Sequence, residues 1–293
     1  MAITAGMVKE LREKTGAGMM DCKKALTEAE GNMDRAIDIL REKGLSQAAK
    51  KSDRIAAEGL VGMMISEDGK KAAMTEVNSE TDFVAKNEEF QTFVANVTKV
   101  AMEKEPKDLE ALLASEYSAG VTVEAELTSK IAKIGENMNV RRFSALSIEA
   151  GRISGYVHGA GKIAVLVKLE AASDSEKLDE LGKDIAMQVA AMNPKYISRD
   201  DVDQDYINHE REILIQQALN EGKPQNIVEK MVEGRLQKQL KEVCLLEQTF
   251  VKDSDKAVKD VVADTAKALG VEIKVVAVER FEVGEGLEKK SEN

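Results

Sequence analysis

The side chains that most often carry out chemistry are few in this chain and lie far apart. Its histidines are His158 and His209 and its cysteines Cys22 and Cys244. No local order joins a nucleophile to a base, and neither cysteine belongs to a CxxC pair, so nucleophilic catalysis, a disulfide and a thiolate metal site all lack support. Asp201-x-Asp203-x-Asp205 imitates the start of a calcium loop, with Glu212 at its twelfth position. Tyr206 holds the sixth, where the sharp turn requires Gly, so a carboxylate-rich helix start is the better reading. Gly161-Lys162 has Tyr156 where a phosphate loop needs its first Gly and Ile163 where it needs Ser or Thr, and reads as a hairpin turn. Gly16-Ala17-Gly18 lacks a third Gly and a preceding strand, which argues against dinucleotide binding. No catalytic residue, metal ligand or cofactor is expected.

What remains is a turn. Glu76-Val77-Asn78-Ser79-Glu80-Thr81-Asp82-Phe83-Val84-Ala85-Lys86 opens like a strand, closes like a helix and sets Phe83 beside Asp82 at the joint. The chain has six Phe, four Tyr and no Trp, so a ring at a polar turn demands an account. Ser79 to Asp82 supply capping side chains where the chain leaves the strand. Either Phe83 staples this turn to a core beneath it or it stands out for a partner, and periodicity leaves both open. His158, beside Gly159 near a hairpin tip, is a weaker candidate contact, and His209 reads as helix surface.

The elements that must position this turn follow from apolar spacing. Residues 1–54 form a helical head: Thr4 caps a helix carrying Met7, Val8 and Leu11, a second buries Met20, Ala25 and Leu26, and a third, capped by Asn32, runs from Met33 to Gly44. The Lys-rich stretch from Gln47 to Arg54 reads as a linker or a fraying helix end, which would leave the head free to move. A core part at 55–140 opens with a hairpin turning near Asp68-Gly69, then a helix from Asn87 to Lys104 with Phe90, Phe93, Val94, Val97 and Val100 on one side. Gly161 to Val167 echoes Gly69 to Thr75, and a helix from Ser175 to Met192 follows. A second, related core part is therefore assigned to 141–197 and 244–286. Residues 198–243 interrupt it as a helical hairpin beginning at Ser198 and turning at Glu221 to Pro224. A helix from Asp255 to Leu269, a strand from Val271 to Val278 and a disordered tail at 287–293 complete the reading. The fold class is α+β: a three-helix head, a duplicated core of antiparallel sheet plus helices, and an inserted antiparallel helical hairpin.

The totals limit the partners. Lys and Arg number 42 against 53 Asp and Glu, a net charge of −11, which disfavours direct nucleic-acid binding through phosphate neutralisation. No run reaches the roughly 18 apolar residues of a membrane span, and no secretion signal opens the chain, so a cytoplasmic protein without membrane attachment is expected. A protein partner fits best.

Two long segments carry a family resemblance. Leu11 to Leu26, including Thr15-Gly16-Ala17-Gly18-Met19-Met20-Asp21-Cys22, and Glu76 to Lys86 are similar to the signature segments of the bacterial elongation factor Ts family; Lys133 to Arg142 and Arg280 to Gly286 also match family segments. The resemblance implies a non-enzymatic guanine nucleotide exchange factor for the GTPase elongation factor Tu, with a head resembling a ubiquitin-associated domain that docks on the GTPase. It assigns Thr81, Asp82, Phe83 and Val84 to disruption of the partner's magnesium and phosphate region. It also suggests head contacts at Leu11, Arg12, Thr15, Gly16, Met19 and Met20, and self-association through the helical hairpin, as in some members. Some members carry a further helix after the Gly-Glu-Gly segment, where this sequence has Leu287 to Asn293. The competing expectation is a helical adaptor that holds partners without altering nucleotide affinity; carboxylate hydrolysis through Glu76 and Asp82 ranks behind it.

Overall fold

A computed structural model describes residues 3–288, so the tail expected at 287–293 lies, past Glu288, outside the described residues. The chain forms an α+β fold in two compact units.

The first unit contains the residues up to Met64, Ala73–Ala145 and the segment from Phe281 onward. Its head consists of α1 (Ala5–Thr15), α2 (Met19–Glu28) and α3 (Met33–Ala49). Thr4 caps α1 by accepting the Met7 N–H at 3.3 Å, and Asn32 caps α3 by accepting that of Arg35 at 2.9 Å. Leu11, Cys22, Ala25, Leu26 and Ala36 make the head's core. After it come β1 (Glu58–Ile65), β2 (Lys71–Ser79), the four-residue α4 (Asp82–Ala85), α5 (Glu88–Lys104), α6 (Leu109–Ala114), the short pair β3 (Glu116–Ser118) and β4 (Val121–Thr122), α7 (Val123–Ile134) and β5 (Met138–Ser147). One sheet has the order β1-β2-β5. Against it α5 buries Phe90, Phe93, Val94 and Val97 with Ala73, Val77, Met138 and Val140.

The sequence pattern does not place everything here. Helix α3 does not stop at Gly44: that residue has no left-handed φ and is buried against Thr128 and Ala132 of α7. Its missing side chain serves close packing, and α3 runs on to Ala49, into the start of the expected linker, whose remaining residues up to Arg54 form turns. Residues 105–137, outside every helix and strand expected from the sequence, hold α6 and α7, capped by Asp108 and Thr122, with Val123, Leu127, Ile131 and Ile134 of α7 at helical spacing toward the core.

The second unit contains Ile65–Ala72 and Leu146–Arg280. It holds β6 (Gly151–His158) and β7 (Ile163–Ala171), paired antiparallel with Gly151 opposite Glu170 and His158 opposite Ile163, then α8 (Glu176–Met192). The hairpin α9 (Gln204–Asn220) and α10 (Gln225–Val243) closes on buried Ala218, Val228 and Val232. Ser198 does not start α9. The Asp201 carboxylate accepts from the Ser198 N–H and hydroxyl at 2.8 and 2.9 Å, closing a single 3₁₀ turn, and Asp203 caps α9 instead. The unit ends with β8 (Thr249–Phe250) and β9 (Asp253–Ala257), α11 (Val258–Leu269) and β10 (Ile273–Glu282) in a sheet of order β10-β7-β6. Thus α11 starts later than its acidic residues suggest, because 253–257 pair as a strand.

The two halves of the core match closely. β1 and β6 have eight residues, β2 and β7 nine, and α5 and α8 seventeen. Gly59 and Gly151 hold equivalent positions with φ of 129° and 111°, and a Cβ there would strike the carbonyl oxygen of Val77 or Leu169. At the closest helix–sheet approach the small residue changes sides: Gly62 on the strand faces Val94, whereas Gly182 on α8 faces Ser154. The copies differ at the strand-to-helix connection, where residues 80–87 include α4 and residues 172–175 form the shorter link.

Phe93 is 0% exposed within this first core. Phe93→Ala should therefore cost about 3–5 kcal/mol through lost burial and the cavity left behind. Equilibrium urea unfolding measures it, and a change below about 1 kcal/mol would mean that the core collapses around the gap.

Candidate functional site

The connection from β2 to α5 is built from residues of opposite character. Val84 and Ala85 are buried, and Val84 joins the first core cluster, so it anchors the turn from beneath and does not face outward. Phe83, on the opposite side, is 78% exposed, which overturns the staple reading. The Lys86 N–H closes α4 by donating to the Phe83 carbonyl at 3.2 Å, and the Asn87 side chain then caps α5. Asp82 pairs with Lys86 at 2.8 Å, and the ammonium lies 5.8 Å from the Phe83 ring centroid. A ring, a carboxylate and an ammonium thus share one protruding tip.

Behind the tip, Glu76 is fully buried on β2. Its carboxylate accepts from Arg141 at 3.0 Å, Arg142 at 2.6 Å, the Asn78 amide at 3.0 Å and the Gly284 N–H at 2.8 Å. Arg142 also covers the Phe281 ring at 4.4 Å. Burial alone would push the Glu76 carboxyl up, but the bonds from Gly284, Asn78 and Arg142 to its charged form outweigh this and hold it below the ordinary carboxylate value. With its oxygens engaged in this way, Glu76 is a structural anion and no general base, which removes the hydrolase reading.

The other predicted residues occupy three settings. Leu11 is fully buried in the head, so it supports α1 and offers no surface. Arg12 and Gly16 are exposed at the end of α1, where Gly16 at φ 65° donates its N–H to the Arg12 carbonyl. Met19 and Met20, 59% and 64% exposed, begin α2, so Met20 does not turn inward with Ala25 and Leu26 as its spacing suggests; Cys22 takes that place in the core. Thr15 and Gly16 line a cleft of about 350 Å³ whose far wall is α7. His158 is exposed at the end of β6, its Nδ1 3.1 Å from the Tyr156 hydroxyl, and Gly161-Lys162 belongs to the hairpin turn that follows.

Glu136 and Asn137 touch the tip, yet nothing in their types announces it. Glu136 follows Gly135, whose φ of 88° ends α7, and its carboxylate accepts the Thr81 N–H and hydroxyl at 3.0 and 2.7 Å. A charged residue after a helix end reads as solvated surface, and Glu136 lies 55 positions from Thr81. Among the described residues no group of three or more His, Cys, Asp or Glu could hold a metal ion, and no helix is long and apolar enough to cross a membrane.

Because Phe83 contributes nothing to the chain's own core, Phe83→Ala should leave stability within about 0.5 kcal/mol of the parent in urea unfolding. A loss of a core-residue size would place the ring inside in solution. For Glu76 the lowered folded value means stabilisation that is complete above the ordinary 4.5 and is lost as pH falls through the folded value. Glu76→Gln should be less stable at neutral pH and lose less between about pH 5 and pH 3 than the parent; identical pH slopes would free the acid response from this carboxylate.

Comparison with known proteins shows a family. The family profile described as Elongation factor TS matches residues 80–285. Proteins named Elongation factor Ts from Clostridioides difficile (strain 630), Clostridium novyi (strain NT) and Clostridium perfringens (strain SM101 / Type A) are 62%, 57% and 52% identical to the chain, each over 99% of it and 96% of the relative.

Proposed function

The chain belongs to the elongation factor Ts family, and from that premise we propose that it is a guanine nucleotide exchange factor for elongation factor Tu, acting in the cytoplasm without chemical catalysis of its own. The observation that carries the mechanism is Phe83: an aromatic ring 78% exposed on a four-residue helix that Val84 anchors to the core. Such a ring gains from burial only in another protein. In this reading Phe83 wedges into the GTPase beside its phosphate and magnesium region, and Asp82 perturbs the polar network that holds the ion.

The energetics assign the parts. A factor that binds the nucleotide-free GTPase more tightly than the GDP form must weaken GDP binding by the same ratio. A thousandfold weakening corresponds to about 4 kcal/mol. Burying one Phe contributes about 1.5–3 kcal/mol, so the ring needs help. The head supplies it through exposed Arg12, Met19 and Met20. Releasing Asp82 from Lys86 costs little, since both side chains are largely solvated, at 48% and 73% exposure, and surface pairs contribute only about 0–1 kcal/mol. The helical hairpin, with Ile213, Leu219 and Ile227 exposed, is the segment offered for self-association.

The decisive experiment follows fluorescent GDP leaving elongation factor Tu. The parent should accelerate release strongly, and the Asp82→Ala, Phe83→Ala double variant should still bind while losing most of the acceleration. Binding with no effect on release would instead establish the adaptor reading.

A further inference from the structure

Helix α4 is too short to hold itself together, since one turn fixes more backbone than its hydrogen bonds return. Thr81 sits at its N-cap but does not cap it: no hydrogen bond runs from the helix to its side chain. The hydroxyl and the N–H of Thr81 are both given to the Glu136 carboxylate, at 2.7 and 3.0 Å. The partnership is reciprocal. Asn137 donates its N–H to the Glu80 carboxylate at 2.7 Å, so each of two adjacent residues on one loop grips a neighbour on the other. The Glu80 side chain is only 10% exposed and Asn137 8% exposed, which keeps water from competing for these bonds. Asn137 extends the connection: its amide donates to the carbonyls of Arg54 at 2.7 Å and Ser52 at 3.4 Å, where the chain leaves the head for β1. Upstream, Gly135 turns the chain out of α7, the helix that packs on α3 of the head.

We propose that Glu136 is a positioning residue for the exchange reaction: its two-point grip on Thr81, completed by the Glu80–Asn137 bond, orders α4 before the partner arrives and sets the angle at which Phe83 projects. The inference rests on the exchange-factor reading for its functional consequence and on the free protein's geometry for its physical content. A preordered tip gives up less freedom on insertion, and a wedge aimed wrongly by about 1 Å can lose up to about a hundredfold in effect. Because Asn137 also holds residues 52 and 54, the tip and the strand entry from the head share one anchor.

The test uses the full chain with Glu136→Ala and Glu136→Gln. Hydrogen exchange is followed in the free protein over residues 80–86, and fluorescent GDP release from elongation factor Tu is measured across factor concentrations. Glu136→Ala should speed amide exchange at 80–86 by about tenfold or more, with α5 and β7 unchanged. It should lower the maximal release rate by about tenfold, with the half-saturating concentration within about threefold of the parent. Glu136→Gln should restore most of both, since its amide oxygen can accept the Thr81 N–H and its NH₂ can donate to the hydroxyl. Unaltered exchange at 80–86 in Glu136→Ala overturns the proposal, as does a glutamine variant no better than alanine. A raised half-saturating concentration with protection intact also overturns it, by making Glu136 a direct contact. If the parent itself fails to accelerate GDP release, the exchange-factor reading falls, while the exchange pattern of the free protein still decides whether Glu136 orders the tip.

Discussion

A buried carboxylate organises the first unit. Glu76 lies mid-strand on β2 with no exposure, and an unpaired charge there would be prohibitive. It is tolerated because Arg141 and Arg142 of β5, Asn78 two residues along β2, and the Gly284 N–H converge on it. Breaking such a set by removing one partner typically costs about 3–5 kcal/mol, whereas replacing the whole set with apolar groups is often neutral. Its contribution is therefore to position more than to net stability. The carboxylate ties β5 to its sheet neighbour β2 and holds the returning segment at Phe281–Glu285 against them, and these frame the strand end from which the Thr81–Phe83 turn departs.

On that frame the aromatic inventory divides by role. Phe90 and Phe93 are fully buried, Phe250 and Phe281 nearly so, and Phe83 stands 78% exposed. A ring left in water forgoes about 1.5–3 kcal/mol of burial, which a partner can recover. What keeps it presented is asymmetric support. Val84 and Ala85 enter the core on one side of the turn, the Glu136 carboxylate holds Thr81 at its start, and Asn87 caps the following helix. Lys86, within cation–π reach of the ring and paired with Asp82, gives the tip a balanced charge before any partner binds.

The two matched halves of the core differ where the tip is built. Strand and helix lengths are matched between the halves, and glycines sit at equivalent crowded strand positions. The first copy differs in its longer connection between strand and helix, and that extra length is occupied by α4. A packed helix–sheet pair tolerates little change in its interior, so novelty accumulates in the connection, where added residues need only satisfy their own backbone bonds. One such residue is Phe83.

Local periodicity and capping chemistry made much of this legible in the sequence. Thr4 and Asn32 cap the helices they were expected to cap, α5 and α8 occupy the expected spans to within a residue, and the hairpin pattern separated α9 from α10. These succeed because a cap or an apolar stripe is decided within a few residues. The oddity of a phenylalanine at a polar turn was also visible, and with it the region to suspect. The sequence could not decide which way the ring faces, that Val84 turns inward, that Gly44 continues a helix because another helix presses on it, or that Glu76 is a buried anion. Those outcomes depend on pairings between distant positions, Thr81 with Glu136 and Glu76 with Gly284. A carboxylate has the same local pattern whether it faces solvent or two arginines, and only the folded chain, by bringing such partners together and excluding water, determines which.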